Sequence, residues 1–155
     1  MNLNQSFQNH CKKNNLEINS NQLNLINELN NFYDLNFNKT FLKKIFSKDS
    51  SKPGFYLHGD VGVGKTMVLN FFFDQVGERK LRKHFNEFML NFHDFFHEKK
   101  EKNEENIINQ FVRDLKSKFS LIYFDEFQVT NIVDAMILGK LFDQIFKEDI
   151  KIIVT

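Results

Sequence analysis

Apolar residues begin to recur at steps of three and four from Ser20 onward: Leu23, Ile26, Leu29 or Asn30, and Tyr33. That spacing is one face of an α-helix, and Ser20 stands where an N-cap belongs. Residues 1 to about 15 show less order and read as loosely structured. A second helical piece spans 39–46, with Leu42, Ile45 and Phe46 on one side. The polar stretch 47–54 holds the only proline, Pro53, and marks the boundary into a second region. The pattern predicts a helical segment over 1–50 and a core over 51–155.

Beyond the boundary short apolar runs alternate with helical periods. Strands are predicted at 55–58, 83–88, 119–124 and 150–154. Helices are predicted at 66–76, with Gly77 placed to end it, at 89–98, at 104–116 and at 131–146. The run 119–124 is continuously apolar, as in a strand buried on both faces. In the last helix Ile132, Val133, Met136, Ile137, Leu141 and Ile145 share a face, and Asn131 can cap it. Alternation of this kind implies an α/β fold, a parallel sheet with helices on both faces.

Composition narrows the chemistry. The 155 residues are one domain's worth of material, 41% hydrophobic, enough for a real core. A net charge of +1 gives no field aimed at DNA or an anionic membrane. The single cysteine, Cys11, cannot close an internal disulfide, which fits a reducing compartment. No run approaches the roughly 18 apolar residues that cross a bilayer, and residues 1–10 lack the apolar stretch of a secretory signal. Phe is unusually frequent, at 20 residues. Asn is abundant too, and 13 of its 20 copies precede residue 39. Regular Leu and Ile placement in that stretch favours compositional bias over a prion-like segment.

The segment Gly59-Asp60-Val61-Gly62-Val63-Gly64-Lys65-Thr66 fits the P-loop pattern G-x-x-x-x-G-K-[ST] in full. Glycines there let the backbone take positive φ and approach phosphate closely. Successive N–H groups form an anion nest, reinforced by the positive end of the following helix. Lys65 supplies a point charge for the β- and γ-phosphates, and the Thr66 hydroxyl can take a Mg²⁺ position. The bland alternative, a glycine turn, is weakened by the predicted strand before the loop and helix after it.

A second signal lies 60 positions after Lys65: Leu121-Ile122-Tyr123-Phe124-Asp125-Glu126, four apolar residues and two acids. An apolar strand beside the P-loop strand would deliver Asp125 to the Mg²⁺ shell. Glu126, one residue on, would orient and deprotonate the attacking water. Solvated surface charge is the alternative, and the better one were the acids alone. No Asn-Lys-x-Asp guanine reader follows the loop, so the pair suits ATP. His93 and His97, four apart, could share a metal with Asp94 or Glu98, but packing or surface roles are favoured, as they are for His58 and His84. Arg79, Lys80, Arg82 and Lys83 read as a solvated basic turn rather than a nucleic-acid site.

From Gly54 onward the chain resembles the ZapE-type cell-division ATPases and their mitochondrial relatives, a branch of the AAA-type ATPases. The resemblance is carried by Gly54-Phe55-Tyr56-Leu57-His58-Gly59, by His84-Phe85-Asn86-Glu87-Phe88-Met89 with His93, and by the stretch from Phe124 through Asp125, Glu126, Phe127, Gln128, Val129, Thr130 and Asn131 to Leu138. It covers about 100 residues, and the last stretch is more specific than any P-loop. It implies that residues 59–66 bind ATP, that Asp125 serves Mg²⁺ and that Glu126 is the catalytic base. The family often has His at the position of Asn86 and Asp at that of Asn131; Asn131 keeps the capping role. After Thr155 the family continues with a Ser-Asn γ-phosphate sensor, an arginine finger and a further strand beside 55–58. The resemblance therefore implies an AAA-type core truncated at its C-terminus, with the P-loop strand at a sheet edge.

The expectation is a P-loop NTPase using ATP and Mg²⁺ to remodel protein partners, in cell division or protein quality control. Resemblance further implies homo-oligomers when the chain is full length, and a cytoplasmic or, in a eukaryote, mitochondrial site. DNA is not an expected partner. Two other readings stay open: a non-catalytic nucleotide-binding interaction module, and a helicase-loader-type ATPase.

Overall fold

The structure, a computed structural model, describes residues 3–38, 52–59, 64–99 and 103–155. The helix predicted at 39–46 lies outside the described residues, as do Asp60, Val61, Gly62 and Val63 of the glycine-bearing loop. The chain divides into two compact units, Met1–Lys52 with Gly59–Gly77, and Pro53–His58 with Glu78–Thr155.

Among the described residues the first unit packs the helices α1 (Leu3–Lys13), α2 (Ser20–Asn36) and α3 (Lys65–Gln75). The helix α1 corrects the expectation of a loose N-terminus. Leu3, Phe7 and Cys11, spaced four apart, are completely buried. Three residues make a stripe too thin to stand out against an Asn- and Gln-rich background, yet thick enough to seat one helix. Each buried side chain of this size contributes roughly 1.5–3 kcal/mol. Phe7 meets Phe71 edge-on at 5.2 Å, and Tyr33 meets Phe72 at 6.3 Å.

The N-cap of α2 is Asn19, not Ser20. The Asn19 side chain accepts from the Gln22 N–H at 2.9 Å, and the Gln22 side chain accepts from the Asn19 N–H at 3.1 Å. This reciprocal pair is a capping box, which satisfies two otherwise orphaned donors. The buried face of α2 runs Gln22, Leu25, Ile26, Leu29, Phe32 and Asn36, so Leu23 and Tyr33 are only half-buried. In α3 the buried residues are Val68, Leu69, Phe71 and Phe72. Val76, extended, closes α3 one residue before the glycine expected to do so.

The second unit is built on a four-stranded parallel sheet of order β1-β4-β3-β2. The strands are β1 (Gly54–Tyr56), β2 (Lys80–His84), β3 (Leu121–Asp125) and β4 (Lys151–Val154). With them go α4 (Phe85–Glu98), α5 (Glu104–Lys118) and α6 (Ile132–Lys147). Residues Leu121 to Phe124 and all of β4 are buried, as strands covered on both faces must be. Among the described residues β1 ends the sheet, as the resemblance implied. The acidic strand β3 does not lie beside β1: β4 runs between them. Sequential position gave no hint of this, because parallel strands are joined by crossovers that can skip a place.

The predicted strand 83–88 is also corrected. The strand is Lys80–His84, and Phe85 already begins α4. Phe85, Phe88, Met89 and Phe92 are buried at helical spacing, which outweighs the strand preference of phenylalanine. The stretch expected to be a basic turn is thus β2. Phe88 packs on Phe124 at 4.6 Å and on Phe111 at 5.7 Å, and Phe92 on Phe111 at 5.1 Å. These rings join Ile122, Ile152, Leu141 and Ile145 in one core. The face predicted for α6 is buried only from Ile137 onward. Ile132 and Met136 are 79% and 76% exposed, and Val133 is exposed as well. Periodicity names a helix face but not how far the core beneath it extends.

Candidate functional site

Parallel strands present their carboxyl ends on one edge of a sheet, the edge where α/β proteins place ligands. β3 reaches that edge at Asp125, whose side chain remains 17% exposed. On β2 Arg82 stands opposite Tyr123, and His84 opposite Asp125. Alternation puts Arg82, Tyr123, His84 and Asp125 on one face of the sheet. Arg82 Nε donates to Asp125 Oδ2 at 2.6 Å, and Nη2 to Oδ1 at 3.2 Å. The same guanidinium lies over the Tyr123 ring at 5.0 Å. The Tyr123 hydroxyl hydrogen-bonds to the Asp125 carboxylate.

Burial works against the Asp125 charge, but hydrogen bonds from Arg82 and Tyr123, with the charge of Arg82 and a smaller contribution from His84, outweigh it. The carboxyl is held below its ordinary value and is ionised at neutral pH. Tyr123 moves the other way, to about 12, first through burial and then through its bond to Asp125.

Glu126 follows the strand in a left-handed conformation, φ 54°. Non-glycine residues rarely adopt this, and it costs about 1–2 kcal/mol. The turn is held from both sides by Thr155, whose N–H donates to Phe124 O at 3.2 Å and whose carbonyl accepts from the Phe127 N–H at 2.7 Å. The Glu126 side chain is 78% exposed, and His84 Nδ1 lies 3.9 Å from its Oε2. It is a carboxylate at a strand end, pointed into solvent, with room to receive a proton.

In the first unit the described part of the P-loop has its expected backbone. Gly64 is left-handed, φ 81°, and directly precedes α3. That φ strains any residue with a side chain, and a Cβ built there would come within 2.3 Å of Gln22 Nε2, which would have to shift. Gly59, φ 153°, is approached by Lys65: a Cβ there would lie 3.6 Å from Nζ. Lys65 donates to the Gly59 carbonyl, folding the ammonium back across the loop. Thr66 is exposed in the first turn of α3. Gly59, Gly64, Lys65 and Thr66 thus belong to one unit and Asp125 and Glu126 to the other.

The remaining candidates take structural roles. His93 on α4 meets Asp134 on α6 at 2.6 Å. Arg79 donates to the Ser117 and Lys116 carbonyls at 2.6 and 3.4 Å. Among the described residues no group of three His, Cys, Asp or Glu could hold a metal. Mg²⁺ wants only one or two hard oxygen donors plus phosphates, and the Asp125 carboxylate is a donor of that kind. Sequence reasoning missed Arg82, Tyr123 and Gln22. Tyr123 was legible in part, since it and Asp125 are two apart on a strand and must share a face; Arg82 needed the position of β2.

A protein-family model described as AFG1-like ATPase matches residues 1–155. "Lactation elevated protein 1 homolog B" of Danio rerio is 38% identical over 122 residues, 70% of this chain and 24% of that protein. "Cell division protein ZapE" of Escherichia coli K12 is 35% identical over 120 residues, 76% of this chain and 31% of that protein. An uncharacterized protein of Schizosaccharomyces pombe is 33% identical over 131 residues, 74% of this chain and 29% of that protein. The chain therefore spans about a quarter to a third of the length of these curated relatives.

Proposed function

We propose, because the chain belongs to the AFG1-like ATPase family, that it binds Mg-ATP and hydrolyses ATP to drive rearrangement of protein partners. The observation that carries the reading is the left-handed Gly64 opening directly into Lys65 and Thr66 at the start of α3. A glycine-bearing turn at a helix N-terminus is an anion site, and the lysine makes it a triphosphate site. Asp125 and Glu126 at the end of β3 support the hydrolytic half of the proposal.

In this reading residues 59–66 cradle the phosphates with backbone N–H groups. Lys65 would leave the Gly59 carbonyl for the β- and γ-phosphates, exchanging a neutral acceptor for a charged one. Thr66 and Asp125 would hold Mg²⁺, which when bound supplies positive charge to the phosphate oxygens. Glu126 would accept the proton of the water that attacks the γ-phosphorus in line.

The Escherichia coli relative's name ties that protein to cell division. For this chain we extend it to a role on proteins of the division or quality-control machinery, in homo-oligomers, in bacterial cytoplasm or in mitochondria. No helix of the described residues is long and apolar enough to cross a membrane.

Two substitutions test the chemistry. Lys65→Ala should weaken ATP binding about tenfold or more, the loss of a charged hydrogen bond of roughly 1.5–3 kcal/mol. Glu126→Gln should leave binding intact and lower kcat by about 10²–10⁴. Calorimetry with ATP and a phosphate-release assay read the two. Equal binding by wild type and Lys65→Ala would sink the proposal.

A further inference from the structure

We infer that Arg82 is a positioning residue for the divalent cation that Asp125 is proposed to hold, fixing the orientation of that carboxylate. The inference rests on the function proposed above and deepens it.

The geometry is that of a fork. Nε and Nη2 of Arg82 engage one oxygen each of Asp125, at 2.6 and 3.2 Å, which sets the carboxylate plane. The Tyr123 hydroxyl takes a further acceptor site. A carboxylate offers about four lone-pair directions. Among the described residues the fork and the tyrosine use part of that capacity, and the rest is left for a metal.

The anchor of the fork is backbone. Arg82 is paired in register with Tyr123, and its guanidinium rests on that ring at 5.0 Å. Both partners of Asp125 are therefore held by the β2–β3 ladder rather than by a loop.

The Arg82 side chain is 34% exposed and that of Asp125 17%, so any stability the pair adds is modest. What the fork supplies is direction, as the partners of metal-ligating side chains do elsewhere.

The test uses the 155-residue chain with Mn²⁺ as the probe, bound together with a non-hydrolysable ATP analogue and read by electron paramagnetic resonance. Arg82→Gln should weaken Mn²⁺ about 10–100-fold, the usual cost of losing such a partner. Arg82→Lys keeps the charge but not the fork, and should recover only part of the loss. Binding of the analogue in EDTA, without metal, should stay at the wild-type level in both.

Unchanged or tighter Mn²⁺ binding in Arg82→Gln overturns the inference. So does a parallel fall in metal-free analogue binding, which marks a general structural role. If Arg82→Gln does not fold, by its circular dichroism, Arg82→Lys alone carries the comparison: wild-type Mn²⁺ affinity there overturns the inference, and a fall of about tenfold with metal-free binding intact supports it. A wild-type chain that binds neither analogue nor Mn²⁺ removes the proposed function and this inference with it, an outcome distinct from failure of the variants alone.

Discussion

Tyr123 shows how one buried side chain couples fold to pH. Its hydroxyl titrates near 12 instead of 10.0 because burial, and then the bond to Asp125, favour the neutral form. A value raised in the fold stabilises below the unfolded value and loses that stabilisation as pH rises through the folded one. The contribution is therefore complete below about pH 10 and gone above about pH 12, and amounts to roughly 2–3 kcal/mol. Tyr123→Phe should flatten the fall in stability across that window, measured by urea unfolding at several pH values. Asp125 has the opposite sense: held below its ordinary 3.8, it stabilises above that value and the contribution is lost as pH falls further. At this scale Lys65, Thr66, Asp125 and Glu126 were named from motifs and their flanking elements, and their roles stand as proposals. Arg82 was not, because its role needs a strand neighbour 43 positions away, and a pairing of that kind leaves no local trace.

Among the elements, those with a single dominant period were legible. The strand at 119–124 and the helices at 104–116 and 131–146 lie within a residue or two of β3, α5 and α6. Errors arose where two signals competed. Phenylalanine favours strands, yet Phe85, Phe88 and Phe92 sit at helical steps, and packing decided for α4. In α1 the signal was three residues long. The cap of α6 was read correctly: Asn131 Oδ1 accepts from the Val133 N–H at 2.9 Å. Asn131→Ala should therefore cost about 1 kcal/mol, seen as faster amide exchange in the first turn of α6. Exchange in that turn unchanged from wild type would refute the assignment.

For the whole molecule, the parallel α/β architecture followed from the alternation of elements, while the strand order did not. Alternation says that crossovers exist; which place each strand takes is settled by how side chains fill both faces of the sheet. The second unit's core is an aromatic one, with Phe88 touching the rings of Phe111 and Phe124. Phe88→Ala should cost about 3–5 kcal/mol, a large share of a typical 5–15. Urea unfolding should show a midpoint shifted down with the slope kept, and a midpoint unmoved would mean this ring carries no core.

Position 64 has a reach beyond the loop it belongs to. The amide that crowds it is the Gln22 side chain, and the other end of that amide begins α2 through Asn19. A methyl group at 64 would push the Gln22 amide aside, and with it the bond that Gln22 accepts from the Asn19 N–H at the start of α2. One hydrogen atom at position 64 thus leaves room for both the turn and the cap.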